Sequence, residues 1–432
     1  MKVAIFTLPL VNNYGGILQA YALQRALESY GFEAPVVNLK IRQRGLFSRD
    51  YLKFLLAKLI YFKKYKNAEF STLRYYADTQ RFIAQNIETT REIYSSAALK
   101  RLFEQEKFGA CVLGSDQVFN PPYFDAFEND FSLGFAPQSC IKIAYAASFG
   151  GESFKGARDL ELHKANLAKF KAISVRERGA TALCESVFGI SGAAFVLDPT
   201  LLAGREVFEK FISPAGATSS VKPGTAELAQ RDTENCAEAR GVQIAICTAS
   251  QETKAAKTRA AAQNLNGATA DIANTAFSAQ DAGENAVRAA NTAQKGQIFA
   301  YILDQNERKS EILKSVSERE GLGVREVNDK ANRVSIEEWL SLIAGAQLVI
   351  TDSFHGCAFS ILFNKPFFAF INENRGSSRF YSLFESFELQ DRVIKSASDV
   401  ALSKQVDWAR VNEILSRRRE ASREFLISNL RA

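Results

Sequence analysis

VITDSFHGCAFSILFNKPFFAF, Val349 to Phe370, decides how this chain is read. A short apolar run ends at Thr351. Asp352 and Ser353 interrupt it, a longer apolar run starts near Cys357, and Pro366 restarts a third. Short apolar runs on either side of a helix-length segment are the signature of strand, helix and strand in a parallel sheet, whose strands are buried on both faces. In such sheets ligands gather outside the carboxyl ends of the strands. His355, one of only two histidines in 432 residues, falls at that break. It is therefore either a functional group at the mouth of a sheet or a structural histidine that follows a strand.

The same grammar extends outward. Val3–Leu8 reads as a strand, NNYGG as a loop, and Ile17–Tyr30 as a helix that stops at Gly31. Pro35–Leu39 is a second strand, and ACVLGSD, KIAYAASFG, AISVRERG and AAFVLDP repeat the pattern. It resumes at Ile298 with IFAYILD, the helix RKSEILKSVSERE, GVREVN, the helix SIEEWLSLIAGA with a capping box from Ser335 to Glu338, QLVITD and PFFAFI. The expectation is an α/β fold with one domain over 1–212, a second over 298–395, and a helical segment over 396–432 that packs back on the first. Residues 213–297 are rich in Ala, Thr and Gln, with Phe277 their only aromatic. So little large apolar surface can hardly offset the entropy of ordering, and the segment reads as a flexible insertion. An Ala-rich helical excursion is the competing reading.

Composition narrows the function classes. A net charge of +6 fits an anionic small substrate or an anionic surface and excludes a nucleic-acid signature. The six cysteines include no CxxC pair, which argues against a zinc site and a disulfide framework and fits a reducing cytosol. MKVAIFTLPL reads as a strand rather than a signal peptide, and no apolar run is long enough for a membrane span. A cytoplasmic protein is expected. Residues 42–67 mix apolar and basic side chains. They read as an amphipathic helix on the domain, with peripheral contact at the inner face of the cell membrane as the competing reading.

The candidate site residues follow from strand ends. In NNYGGILQA, Gly15 and Gly16 let backbone approach a ligand, and the helix start offers free N–H groups to an anion. Asn12, Asn13 and Gln19 could add hydrogen bonds. LGSDQVFNP brings Ser115, Asp116, Gln117 and Asn120 to another strand end. Asp116 suits a base or a sugar-hydroxyl ligand, and its bland alternative is a cap. Arg176 in SVRERGA has the planar fork that suits phosphate or carboxylate; its alternative is a surface salt bridge. Asp352, Ser353, His355 and Gly356 follow the next strand. Lys365, Arg375 and Arg379 complete an electropositive set.

These motifs together resemble the polysaccharide pyruvyl transferase family: NNYGGILQAYALQ, VLGSDQVFNP, AYAASFG, SVRERGA, LDPTLL, AYILDQNE, TDSFHGCAFSILFNKPF and RGSSRF. The resemblance covers roughly residues 1–212 and 298–395. It implies a GT-B-like pair of Rossmann-like domains with the active site in the cleft. It also implies transfer of a pyruvyl group from phosphoenolpyruvate to sugar hydroxyls of a cell-surface polysaccharide or its precursor, as a ketal. The family's catalytic histidine falls on His355 and its donor-binding arginine on Arg176. Family members carry an arginine two residues before the histidine, where this chain has Ser353, so either Arg375 or Arg379 supplies that charge or the donor differs.

On this reading His355, Asp116 and Asp352 are catalytic. Asn13, Gly15, Gly16, Ser115, Arg176, Ser353, Gly356, Arg375 and Arg379 bind the donor. Gln19, Gln117, Asn120 and Lys365 bind a glycan or lipid-linked acceptor. Phosphoenolpyruvate is a substrate, and no cofactor, metal or nucleic acid is expected. The alternatives are a glycosyltransferase that uses a nucleotide sugar, and a glycan-binding protein without catalysis.

Overall fold

The computed structural model describes residues 1–11, 13–40, 77–154, 156–157, 159–212, 296–328, 332–372 and 376–431. The readings of 42–67 and of the insertion up to residue 295 lie outside the described residues, as do Asn12 and Arg375.

Two parallel sheets organise the chain. The first runs β1 (Val3–Phe6), β2 (Ala110–Leu113), β3 (Ile141–Ala147), β4 (Ala172–Val175) and β5 (Ala194–Phe195), in spatial order of sequence. Pro35–Leu39 forms isolated parallel bridges beside β1 rather than a full strand. The second sheet has the order β7-β6-β8-β9, built from β6 (Gln297–Tyr301), β7 (Gly323–Val327), β8 (Leu348–Thr351) and β9 (Phe367–Ala369). The fold is α/β with two Rossmann-like lobes, the GT-B-like arrangement expected. β1, β2 and β8 are buried along their whole length, which is why their sequences are continuous apolar runs without alternation.

The first helix, α1 (Tyr14–Ser29), begins earlier than its sequence suggests. Asn13 caps it by accepting from Gly16 N at 3.2 Å, so Tyr14, Gly15 and Gly16 become its first turn instead of a loop. Tyr14 also ties the lobes together. Its ring stacks on Trp339 of the second lobe at 5.5 Å, and its hydroxyl donates to Val334 O at 2.6 Å. One apolar core containing both residues runs through the two lobes. The last helix, Trp408–Leu430, lies along the first lobe: Ser422 Oγ accepts from Leu197 N at 3.0 Å, and Arg419 Nε donates to Leu201 O at 2.6 Å. No helix among the described residues is long and apolar enough to cross a membrane.

Candidate active site

A cavity of about 650 Å³ opens where the carboxyl ends of both sheets meet. The chain after β1 contributes Leu8 to Val11, and the start of α1 contributes Asn13 and Gly16. Asp116 and Gln117 come from the end of β2, Leu303 and Asp304 from the end of β6, and Ser353 and His355 from the end of β8. Tyr123 and Arg379 complete the wall. The topology therefore gathers Asn13, Gly16, Asp116, Gln117, Ser353, His355 and Arg379 into one space.

His355 sits in the first turn of the helix Phe354–Leu362, which Ser353 caps by accepting from Gly356 N at 3.4 Å. The imidazole crosses to the first lobe. A Cβ on Gly15 would lie 1.9 Å from His355 Nδ1, so only glycine lets α1 pass the ring. On the other side, Nε2 lies 3.7 Å from Asp198 Oδ2.

Behind the cavity wall the first lobe buries a charge network. Arg176 Nη2 donates to Asp116 Oδ1 at 3.0 Å and Nη1 to Asp198 Oδ2 at 2.9 Å, with Glu177 3.5 Å from Nε. Its guanidinium also lies 4.7 Å over the Phe354 ring. Burial opposes the charge on Arg176, but Asp116, Asp198 and Glu177 outweigh it and raise the guanidinium above its ordinary value. Burial likewise pushes against an ionised Asp198. The adjacent His355 ring, Arg176 and the Thr200 N–H overcome this and hold its carboxyl well below the usual carboxylate range. For Glu177 burial wins and raises the carboxyl, against the pull of Arg176 and of the hydroxyl that Ser148 donates.

Arg379 is different. It belongs to the helix Ser378–Phe387, is 6% exposed, and lines the cavity. Among the described residues its guanidinium makes no hydrogen bond or ion pair, and its Nε is buried without a partner. The Phe354 and Phe380 rings lie 5.8 and 5.7 Å from it. Burial, and then the neighbouring Arg176, push it down to about 10, against Asp116 and Glu177.

Several expectations are corrected. Arg176 is not a free anion ligand: its side chain is 1% exposed and bound by carboxylates, because strand ends β2, β4 and β5 converge on it. Asp352, expected to be catalytic, is fully buried and does not line the cavity. Its carboxylate accepts from Leu303 N at 2.6 Å, Asp304 N at 3.1 Å and Lys309 Nζ at 2.7 Å, which ties the β6 and β8 ends together. Ser115 is buried, donating from Oγ to Ala146 O and from N to Gln19 Oε1, and neither it nor Gln19 lines the cavity. Asn120 is also buried and props Gln117, donating to its Oε1 at 3.2 Å. Gly356 packs against Thr351, where a Cβ would come within 2.5 Å of Oγ1. Lys365 precedes β9, so in a parallel sheet it lies at the amino edge, opposite the cavity.

Asp198 and Tyr123 escaped the sequence reading. Asp198 had a signal: it ends the run AAFVLDP before a proline, the same strand-end position that singled out Asp116 and Arg176. Tyr123, 47% exposed in the 3-10 helix Pro121–Asp130, had none. Among the described residues no group of three His, Cys, Asp or Glu side chains is placed to hold a metal ion.

Two parallel α/β lobes with an anion-suited cavity at their facing strand ends define a two-domain Rossmann-like protein of the GT-B-like class. The polysaccharide pyruvyl transferase family matches residues 13–374, and the chain belongs to that family. No curated protein matches it. Among solved structures, it is similar to a Listeria monocytogenes protein assigned as a UDP-N-acetylglucosamine 2-epimerase, at 9% identity and TM-score 0.47, over 99% of this chain and 95% of that one. It is also similar to UDP-GlcNAc 2-epimerase from Methanocaldococcus jannaschii in complex with UDP-GlcNAc and UDP, at 12% identity and TM-score 0.43, over 99% of each chain. ADP-heptose lps heptosyltransferase II of E. coli matches at 9% identity and TM-score 0.34, over 96% of this chain and 99% of that one.

Proposed function

We propose that this protein transfers a pyruvyl group from phosphoenolpyruvate to sugar hydroxyls of a cell-envelope polysaccharide or its precursor, closing a ketal. The observation that carries the reading is Arg379, a buried cation on the wall of a cavity with no hydrogen-bond or ion-pair partner among the described residues. A buried charge needs a counter-charge, and here a ligand would supply it. The starts of α1 and of the helix Phe354–Leu362 open on the same space through Asn13, Gly16 and Ser353, adding N–H groups and positive helix ends. Phosphoenolpyruvate brings a phosphate and a carboxylate, which suits this set. Family membership supports the donor class.

The chemistry assigns roles by position. His355 delivers a proton to the methylene carbon of the enol, which makes the adjacent carbon electrophilic. A sugar hydroxyl adds there and gives up its proton. Asp116 takes it; its anchoring by Arg176 on one oxygen and its position in the cavity lining support that role. Phosphate leaves with the bonding electron pair, and a second hydroxyl closes the ketal with loss of its proton. Arg379 holds the anionic donor, in place of the arginine that Ser353 replaces. Tyr123 at the rim offers an aromatic face to the sugar, and Gln117 a hydrogen-bonding amide. The reaction would run on the cytoplasmic side, on a free or lipid-linked saccharide.

Purified protein incubated with phosphoenolpyruvate and candidate glycans should release phosphate and yield a pyruvylated sugar, and His355→Ala should abolish both. Unchanged release by His355→Ala removes the histidine from the mechanism. A thermal shift with nucleotide sugars and none with phosphoenolpyruvate sinks the donor assignment in favour of glycosyl transfer.

A further inference from the structure

The two ring nitrogens of His355 have different surroundings. Nε2 is buried without a hydrogen-bond partner and faces Asp198 Oδ2 at 3.7 Å. Nδ1 lies on the Gly15 side; His355 lines the cavity, and Nδ1 is not sealed off as Nε2 is. Asp198 itself is held firmly. Its Oδ1 accepts from Thr200 N at 3.0 Å and from Thr200 Oγ1 at 2.7 Å, while Oδ2 accepts from Arg176 Nη1 at 2.9 Å. Three donors from the first lobe thus fix a carboxylate whose next neighbour is a ring nitrogen carried by the second lobe.

Which nitrogen of a histidine carries the proton is set by the partner of the other. A carboxylate can only accept, so it selects a proton on the nitrogen that faces it. We propose that Asp198 is the positioning residue of His355: it holds the proton on Nε2, steadies the ring when it becomes cationic, and leaves Nδ1 as the working nitrogen. The contact at 3.7 Å lies just beyond hydrogen-bond length, and such pairs commonly tighten when substrate binds. The pairing spans the cleft, so His355 is tuned only when the second lobe is seated on the first. Arg176 then acts indirectly: it orients Asp198 and stacks under Phe354, the residue next to His355. The rate prediction below rests on the pyruvyl-transfer reading; the tautomer prediction does not.

The test uses the full chain labelled with ¹⁵N-histidine. Only two histidines contribute signals, and His355→Asn assigns them. His163, bonded through Nδ1 to Ser132 Oγ at 2.8 Å and stacked on Phe131, is an internal control. The neutral wild-type ring of His355 should show a protonated Nε2 and an unprotonated Nδ1. Asp198→Asn keeps an acceptor for Thr200 but can present its own N–H to Nε2. It should shift His355 toward the Nδ1–H form, leave His163 unchanged, and lower kcat by about 10²- to 10⁴-fold with a much smaller change in KM for phosphoenolpyruvate. A wild-type ring protonated on Nδ1, or a tautomer unaffected by Asp198→Asn, overturns the proposal. If Asp198→Asn does not fold, the wild-type spectrum still decides. A tautomer switch in a protein that never consumes phosphoenolpyruvate supports the pairing and overturns the donor assignment.

Discussion

Two arginines share one phenylalanine ring and have opposite surroundings. Arg176 and Arg379 are 3% and 6% exposed, and their guanidinium groups lie 4.7 and 5.8 Å from the ring of Phe354. Arg176, at the end of β4, has Asp116, Asp198 and Glu177 within 3.5 Å. Arg379, on a helix of the second lobe, has no such partner among the described residues. Carboxylates hold the first above its ordinary pKa, and burial drives the second down to about 10. A buried cation enclosed by acids serves architecture. A buried cation left bare beside a cavity is set up for an anion from outside. The sequence pointed to both arginines, and only Arg379 lines the cavity.

The comparison breaks first on stability. Arg176→Met leaves three acidic groups buried without their counter-charge and should cost about 3–5 kcal/mol in urea unfolding, the usual penalty for removing one partner of a buried pair. If Arg176→Met matches wild type in stability, the network is not structural. Arg379→Met removes a charge that has no partner among the described residues. It should unfold within about 1 kcal/mol of wild type, or later, while phosphoenolpyruvate binds about 10- to 100-fold more weakly by calorimetry. Lys365→Ala, at the far edge of the sheet, should leave that affinity unchanged.

The smallest effect is the acid limb of stability. The folded Asp198 carboxyl is depressed, so its contribution is complete above about pH 4, the unfolded aspartate value, and is lost as pH falls through the lower folded value. Glu177 runs the other way. Raised by burial, it opposes folding once ionised and is relieved in acid. Asp198→Asn should therefore flatten the fall in unfolding free energy below about pH 4, measured by denaturant titration at several pH values. An acid limb as steep as wild type would assign it to other carboxylates.

Much of the fold was legible because burial on both faces of a strand leaves a continuous apolar run. Val3–Phe6, Ala110–Leu113 and Leu348–Thr351 all show one. The break after each run marked where a ligand would sit, and His355, Asp116, Ser353, Asn13 and Arg379 were found there. Ser115, Arg176 and Asp352 stand at strand ends too, but they pair within the protein and do not line the cavity. A single sequence shows that a polar residue stands at a strand end. It does not show whether a neighbouring strand end meets it with a partner.

The sequence alone determined the two parallel sheets, their strand ends, the cap at Ser335, and the family motifs. These depend on residues a few positions apart, through periodicity, turn chemistry and local hydrogen bonds. Tertiary structure decided which charges cancel. Arg176 meets an aspartate 60 residues away and another 22 away, and His355 finds Asp198 across the cleft from the other lobe. Electrostatic pairing follows distance in space and the burial around it, and neither is written in the spacing of residues along the chain.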